Sequence, residues 1–317
     1  MKGILLVWMI VLSAVSWTQD LPVFNEYFLD YELLNPAFTG MQNCYAAGII
    51  DHHQWLGVKE APNTQIAFAR GRFTLPGATR YHGIGLLLVR DQNGSYRNLN
   101  AALQYSYHLT LSEIRKIHLS LGLSASVNQE LLDEGEFYNY NYDPVINGTR
   151  LSAWNPDLAV GIGVYNQRFF GGISASHLLP ALSYVSDPQP ADYNSRLYIL
   201  FAGMRIKPDN HTVEVEPSLA FILDEVFYSH LDLNTKIVIK SDYWLGVSLR
   251  KYMEHEFQGT FAVFPSGGIT IRNLEIAYSY CHDFSAFLRH SYGSHSLMLR
   301  WKHCRGSKGT VPCPAYN

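Results

Sequence analysis

Glu214 and Glu216 stand two residues apart in Thr212 to Leu223, a segment whose polar and apolar residues alternate. On an extended strand this spacing turns both carboxylates to one face, as a cooperating acid and base would require. Arg70, Arg72, Arg205 and Lys236 occupy similar alternating segments, so a network of ion pairs is the simpler reading. His52 and His53 are adjacent; on a strand they face opposite sides and cannot share a metal. The sequence contains no His-Glu-x-x-His, Gly-x-Ser-x-Gly or Walker signature. No catalytic, cofactor-binding or metal-ligating residue is assigned, and a barrel lipase or protease has no nucleophile–base pair to rest on. The chain reads as a non-enzyme with no cofactor.

The elements that carry these residues repeat one pattern. In Ile117 to Asn128, Ile117, Leu119, Leu121, Leu123, Ala125 and Val127 alternate with His118, Ser120, Gly122, Ser124, Ser126 and Asn128. Asn98 to Leu109 and Ser229 to Ile239 alternate in the same way. Strict period two predicts strands with one apolar and one polar face. A soluble sandwich uses strands of about 5–6 residues, whereas a transmembrane barrel needs about 9–11. Most runs here reach the longer length, and the second face is rich in Gly, Ala, Ser and Asn, as in Gly161-Ile-Gly-Val-Tyr165. The expected fold is all-β: a single transmembrane antiparallel β-barrel of about fourteen strands over 43–302. Tight polar turns at Gln167-Arg168, Lys240 to Asp242 and Arg272-Asn273 alternate with longer segments at 54–63, 129–154 and 178–195. That alternation matches short periplasmic turns and long external loops.

Met1-Lys2 followed by the apolar run Ile4 to Leu12 and by Ser16-Trp17-Thr18 reads as a Sec-type signal peptide over 1–18, cleaved before Gln19. The run is short of the roughly 20 residues of a spanning helix. Net charge is −3, which gives no reason to expect nucleic acid. The compartment is oxidising, so Cys304 and Cys313 in the tail 303–317 are the expected disulfide, worth roughly 2–3 kcal/mol. Cys44 with Cys304 is the other arrangement, open if the first and last strands pair. The tail is expected in the periplasm.

The mature start, from Gln19 through Phe24 to Leu33-Leu34-Asn35-Pro36-Ala37-Phe38-Thr39-Gly40, resembles the opening of the PorP/SprF family of the type IX secretion system in Bacteroidetes-type bacteria. Further matches run in the family's order: Gln54-Trp55, Pro62 with Thr64, Gly83-Ile-Gly85, Ser106 to Leu109, Asn155-Pro156, Tyr278 and Tyr280, and Gly293-Ser294-His295. Three positions depart. His52 stands where the family usually has Arg, Cys281 where it has Asp, and Ser296 where it often has Glu. The resemblance implies an outer-membrane protein embedded in lipid that supports protein secretion, surface display of adhesins or gliding motility. It would do so through periplasmic ring subunits or secreted partners. A porin or small-solute channel is the alternative.

Residues 19–42 then form an N-terminal segment too apolar for a free tail. Phe24 and Phe28, and Tyr27, Tyr31 and Leu34, fall at helical spacing, and Pro36 stops a helix there. The segment is expected to plug the periplasmic mouth of the barrel or to dock a neighbouring subunit.

Overall fold

The computed structural model describes residues 27, 30–74, 80–136, 149–181, 196–208, 212–224, 229–253, 261–284 and 291–304. The alternating segments form fourteen strands: β1 Cys44–His53, β2 Asn63–Thr74, β3 Tyr81–Asn93, β4 Tyr96–Ser112, β5 Ile117–Asp133, β6 Arg150–Tyr165 and β7 Phe169–Ser176, followed by β8 Leu197–Met204, β9 Val213–Asp224, β10 Ser229–Ile239, β11 Tyr243–Tyr252, β12 Phe261–Ile271, β13 Leu274–Asp283 and β14 Ser294–Cys304. Each pairs antiparallel with its sequence neighbours, and β1 pairs with β14 to close the barrel. Closure leaves no strand at a free edge of the sheet, which lipid would not tolerate.

Both ends of the described barrel chain, Cys44 and Cys304, lie with the short turns at 166–168, 240–242 and 272–273. By the usual asymmetry of such barrels this is the periplasmic end. Exposed aromatic residues mark two belts on the outer wall. Tyr45, Phe169, Tyr243 and Trp301 ring the periplasmic side, and Trp154, Tyr198 and Phe261 the other.

Three boundaries differ from the sequence reading. β5 runs on to Asp133 and β6 begins at Arg150, because Leu131, Leu132 and Leu151 continue the ladder beyond the segment that alternates cleanly. β14 continues past residue 302 to Cys304, so the barrel takes in the first two residues assigned to the tail.

The expected Cys304–Cys313 bridge is corrected: Cys304 is bonded to Cys44. The two residues are register partners at the periplasmic end of the β1–β14 seam, so strand pairing delivers one thiol to the other. Cys313 lies outside the described residues.

Candidate functional site

Residues 30–43 turn inward from the start of β1 and occupy the lumen. They form two short 3-10 turns, Tyr31–Leu33 and Pro36–Phe38, in place of a continuous helix. Asn35 adopts extended backbone between them, as a residue before proline prefers, and its Oδ1 accepts the Ala37 N–H at 2.8 Å to cap the second turn. Pro36 at the first position of that turn gives up no hydrogen bond.

This segment seats on a floor of glycines. Gly122 of β5, Gly161 and Gly163 of β6 and Gly172 of β7 point inward beneath it. A Cβ at Gly122 would collide with the Ala37 backbone, and one at Gly161 with the Asn35 carboxamide. At Gly163 it would come 2.6 Å from the Phe38 ring. Gly40 has φ +67° and approaches Gly83 of β3 so closely that neither position accepts a side chain. Asn35, Ala37, Phe38 and Thr39 are fully buried as a result.

Polar groups then lock the segment to the wall. Asn35 Nδ2 donates to the Ile162 and Ile173 carbonyls at 3.2 and 3.0 Å, and Ser174 Oγ donates to the Leu34 carbonyl at 2.7 Å. The Thr39 carbonyl accepts from Ser106 Oγ at 2.5 Å and faces His108 Nε2 at 2.9 Å. A carbonyl cannot donate, so Nε2 carries the hydrogen and Nδ1 accepts from Tyr165 Oη at 2.7 Å. Tyr165 bonds Tyr81, whose ring lies under the Arg72 guanidinium at 3.3 Å.

Arginine–carboxylate pairs clasp the acidic and phenolic side chains. Tyr27 Oη donates to Asp232, which Arg250 holds through Nε and Nη2 at 2.8 and 2.7 Å. Tyr31 Oη donates to Glu216 at 3.3 Å, and the other oxygen of that carboxylate accepts Arg205 Nε at 3.0 Å. The Tyr31 ring stacks on Phe201 and leans on Phe170. Asp30 bonds Arg70 and lies 3.6 Å from Arg300, which also grips Glu275; Glu32 sits 3.0 Å from Arg70 Nε. Burial keeps the Tyr27 and Tyr31 hydroxyls protonated, hence donors. Burial also pushes the Glu32 carboxyl up to about 8, against the pull of Arg70.

The sequence-assigned residues therefore separate into two groups. Tyr27, Tyr31, Leu34, Asn35, Pro36 and Gly40 converge in the lumen. Phe24 and Phe28 lie outside the described residues. Gln54, Trp55, Pro62, Gly293 and Ser294 meet at the extracellular end, where they lace the β1–β2 connection to the start of β14. Gln54 N–H donates to the Pro62 carbonyl at 2.9 Å, Trp55 N–H to Ser294 Oγ at 3.2 Å, and Leu56 N–H to the Gly293 carbonyl at 2.8 Å. Tyr278, Tyr280 and His295 lie on the outer wall beside this lacing, with Tyr278 Oη 2.6 Å from His295 Nδ1. The segment goes deeper than the expected periplasmic mouth: Tyr27 reaches Asp232, near the extracellular end of β10.

Sequence reasoning picked out Arg70, Arg205 and Glu216 as members of a lumenal network. It missed Arg250, Arg300 and Glu275, which occupy the same inward phase on β11, β14 and β13. It also read the inward glycines as general barrel filling. Their positions in the alternation were visible, but the segment they accommodate was not.

Similarity to known proteins agrees with this architecture. The chain is similar to the CymD monoaromatic hydrocarbon channel, with TM-score 0.53, 11% identity, and 90% and 94% of the two chains covered. It is also similar to Omp33 of Acinetobacter baumannii (TM-score 0.47, 8% identity, 84% and 100%) and to BamA of Haemophilus ducreyi lacking POTRA domains 1–3 (0.45, 7%, 83% and 70%). At such identity the likeness to CymD speaks to the barrel fold alone. No curated protein sequence matches significantly. The family described as type IX secretion system membrane protein PorP/SprF matches residues 16–301, and with the barrel fold this places the protein in the outer membrane. The chain belongs to the PorP/SprF family of type IX secretion system membrane proteins.

Proposed function

We propose that this protein is a sealed, non-enzymatic barrel, exported by a cleaved signal peptide. It supports type IX secretion, adhesin display or gliding through contacts with periplasmic ring subunits or secreted partners. Family membership supports the secretion role. The observation that carries the sealed reading is the lumenal segment itself. Phe38, Tyr27 and Tyr31 are buried against the wall at about 1.5–3 kcal/mol per side chain, and unseating the segment would take the Tyr27 and Tyr31 hydroxyls from Asp232 and Glu216 and the Asp30 carboxylate from Arg70. A water-filled channel would have to give up those contacts each time it conducted.

Two measurements test the proposal. Deletion of the gene product in its host should block type IX cargo from reaching the cell surface. The purified protein in a planar bilayer should show little steady current, and Tyr27→Ser with Tyr31→Ser should raise it. Large, stable currents from the unaltered protein would instead favour the porin or small-solute channel, the reading that barrels such as CymD suggest.

A further inference from the structure

Charge is not spread evenly over this barrel. The chain has net charge −3, yet its described periplasmic turns are basic. Arg115 and Lys116 (β4–β5), Arg168 (β6–β7), Lys207 (β8–β9), Lys240 (β10–β11) and Arg272 (β12–β13) are all exposed there. Glu113 and Asp242 are the acids on the same described turns, and Lys207 pairs with Glu214 at 3.0 Å. At the opposite end charge is mixed: Glu60, Asp133, Glu134, Asp224 and Asp283 lie with Lys59, Arg150, Arg196 and Lys251, and Lys59 and Arg150 pair with Glu60 and Asp133.

One of these turns also projects. Tyr81, the first residue of β3, pairs with His108, and Tyr165, the last of β6, pairs with His118. Leu109–Ile117 therefore forms a hairpin tip with no described strand on either side. At its end Ile114 is 96% exposed and Leu111 60%, beside Arg115 and Lys116. The membrane interface lies higher, where Phe73, His82, Tyr105 and Tyr107 cluster on the outer wall and Arg80 donates to Tyr107 Oη. Ser112 lies five strand steps beyond Tyr107, so the tip stands roughly 10–15 Å below that cluster, past the reach of lipid phosphates. Ile114 and Leu111, both bare on one tip beside Glu113, Arg115 and Lys116, present apolar surface rimmed by charge, as docking sites do.

We infer that the basic periplasmic rim, with the Ile114 hairpin at its prow, is the docking surface for an acidic periplasmic protein bearing an apolar notch. This rests on the secretion role proposed above and adds the chemistry of the partner. Rim cations steer and orient the partner, while Ile114 supplies the desolvated contact.

The test places p-benzoylphenylalanine at position 114 of the full chain in its native outer membrane, with Leu103 on the lipid-facing wall as control. Irradiation should give a polypeptide adduct at 114 and none at 103, and the adducted peptide should be acidic. Adduct yield should fall about tenfold with Arg115→Glu/Lys116→Glu, and similarly with Arg168→Glu/Lys240→Glu on other turns, in barrels that keep heat-modifiable mobility. Adducts with lipid alone, no adduct, or a yield indifferent to both reversals would overturn the inference. If deletion of the chain blocks secretion while both reversals assemble and secrete normally, the docking surface fails and the secretion role stands. If deletion leaves secretion intact, the secretion role itself fails.

Discussion

His52 Nδ1 lies 2.5 Å from Ser296 Oγ across the β1–β14 seam, and the two are register partners. These are two of the three positions at which the chain departs from what the resemblance implies, which is Arg and Glu at this pair. The third, Cys281, pairs with Ser294, two residues away on β14. The departures thus gather at one place on the seam: where the resemblance implies Arg and Glu, His52 and Ser296 make a hydrogen bond. Ser296→Glu alone would bury a carboxylate with no added cation and should cost about 3 kcal/mol. His52→Arg added to it should recover most of that loss. The unfolding temperature of the heat-modifiable band reads both; strictly additive effects would refute the coupling.

The glycine floor predicts where the lumen can be unsealed. Gly161→Val drives a branched side chain into the Asn35 carboxamide and should weaken seating of the segment by about 1–3 kcal/mol. Gly94, in the β3–β4 turn, has only the Glu60 carboxylate within reach at 3.9 Å, and Gly94→Asn should be silent. Bilayer conductance separates the two, and equal currents from both variants would count against the floor.

Glu32 makes seating depend on pH. Its carboxyl is raised from 4.5 to about 8 in the folded protein, so the seated segment binds the proton more tightly than the released one. The contribution is fully present below about pH 4.5 and is lost as pH rises through about 8. Protease cleavage within 30–43 should therefore accelerate toward alkaline pH, and Glu32→Gln should flatten the profile. A profile unchanged by that substitution would remove Glu32 as the cause.

The Cys44–Cys304 bridge spans 260 residues and closes the seam at its periplasmic end. Cys44→Ser or Cys304→Ser should destabilise the barrel by about 2–4 kcal/mol, seen as unfolding at lower temperature. Cys313→Ser should leave the unfolding temperature unchanged. Loss from Cys304→Ser and Cys313→Ser with none from Cys44→Ser would restore the tail bridge.

The wall was legible in the residue pattern alone. Alternation has a period of two residues and is set locally, so each strand, its inward phase and the turns between strands could be read without knowing any neighbour. The short 3-10 turns were legible only in part: Asn35-Pro36 announced a break, but not that the chain would cap itself and continue inward. What the tertiary structure alone decided was how separate inward faces add up. Gly122, Gly161 and Gly172 make a floor, and Asp232 and Arg250 a clasp, only after register places them around one segment. The same holds for Cys304: two sulfurs 260 residues apart meet because the first and last strands pair, a fact that no local pattern contains.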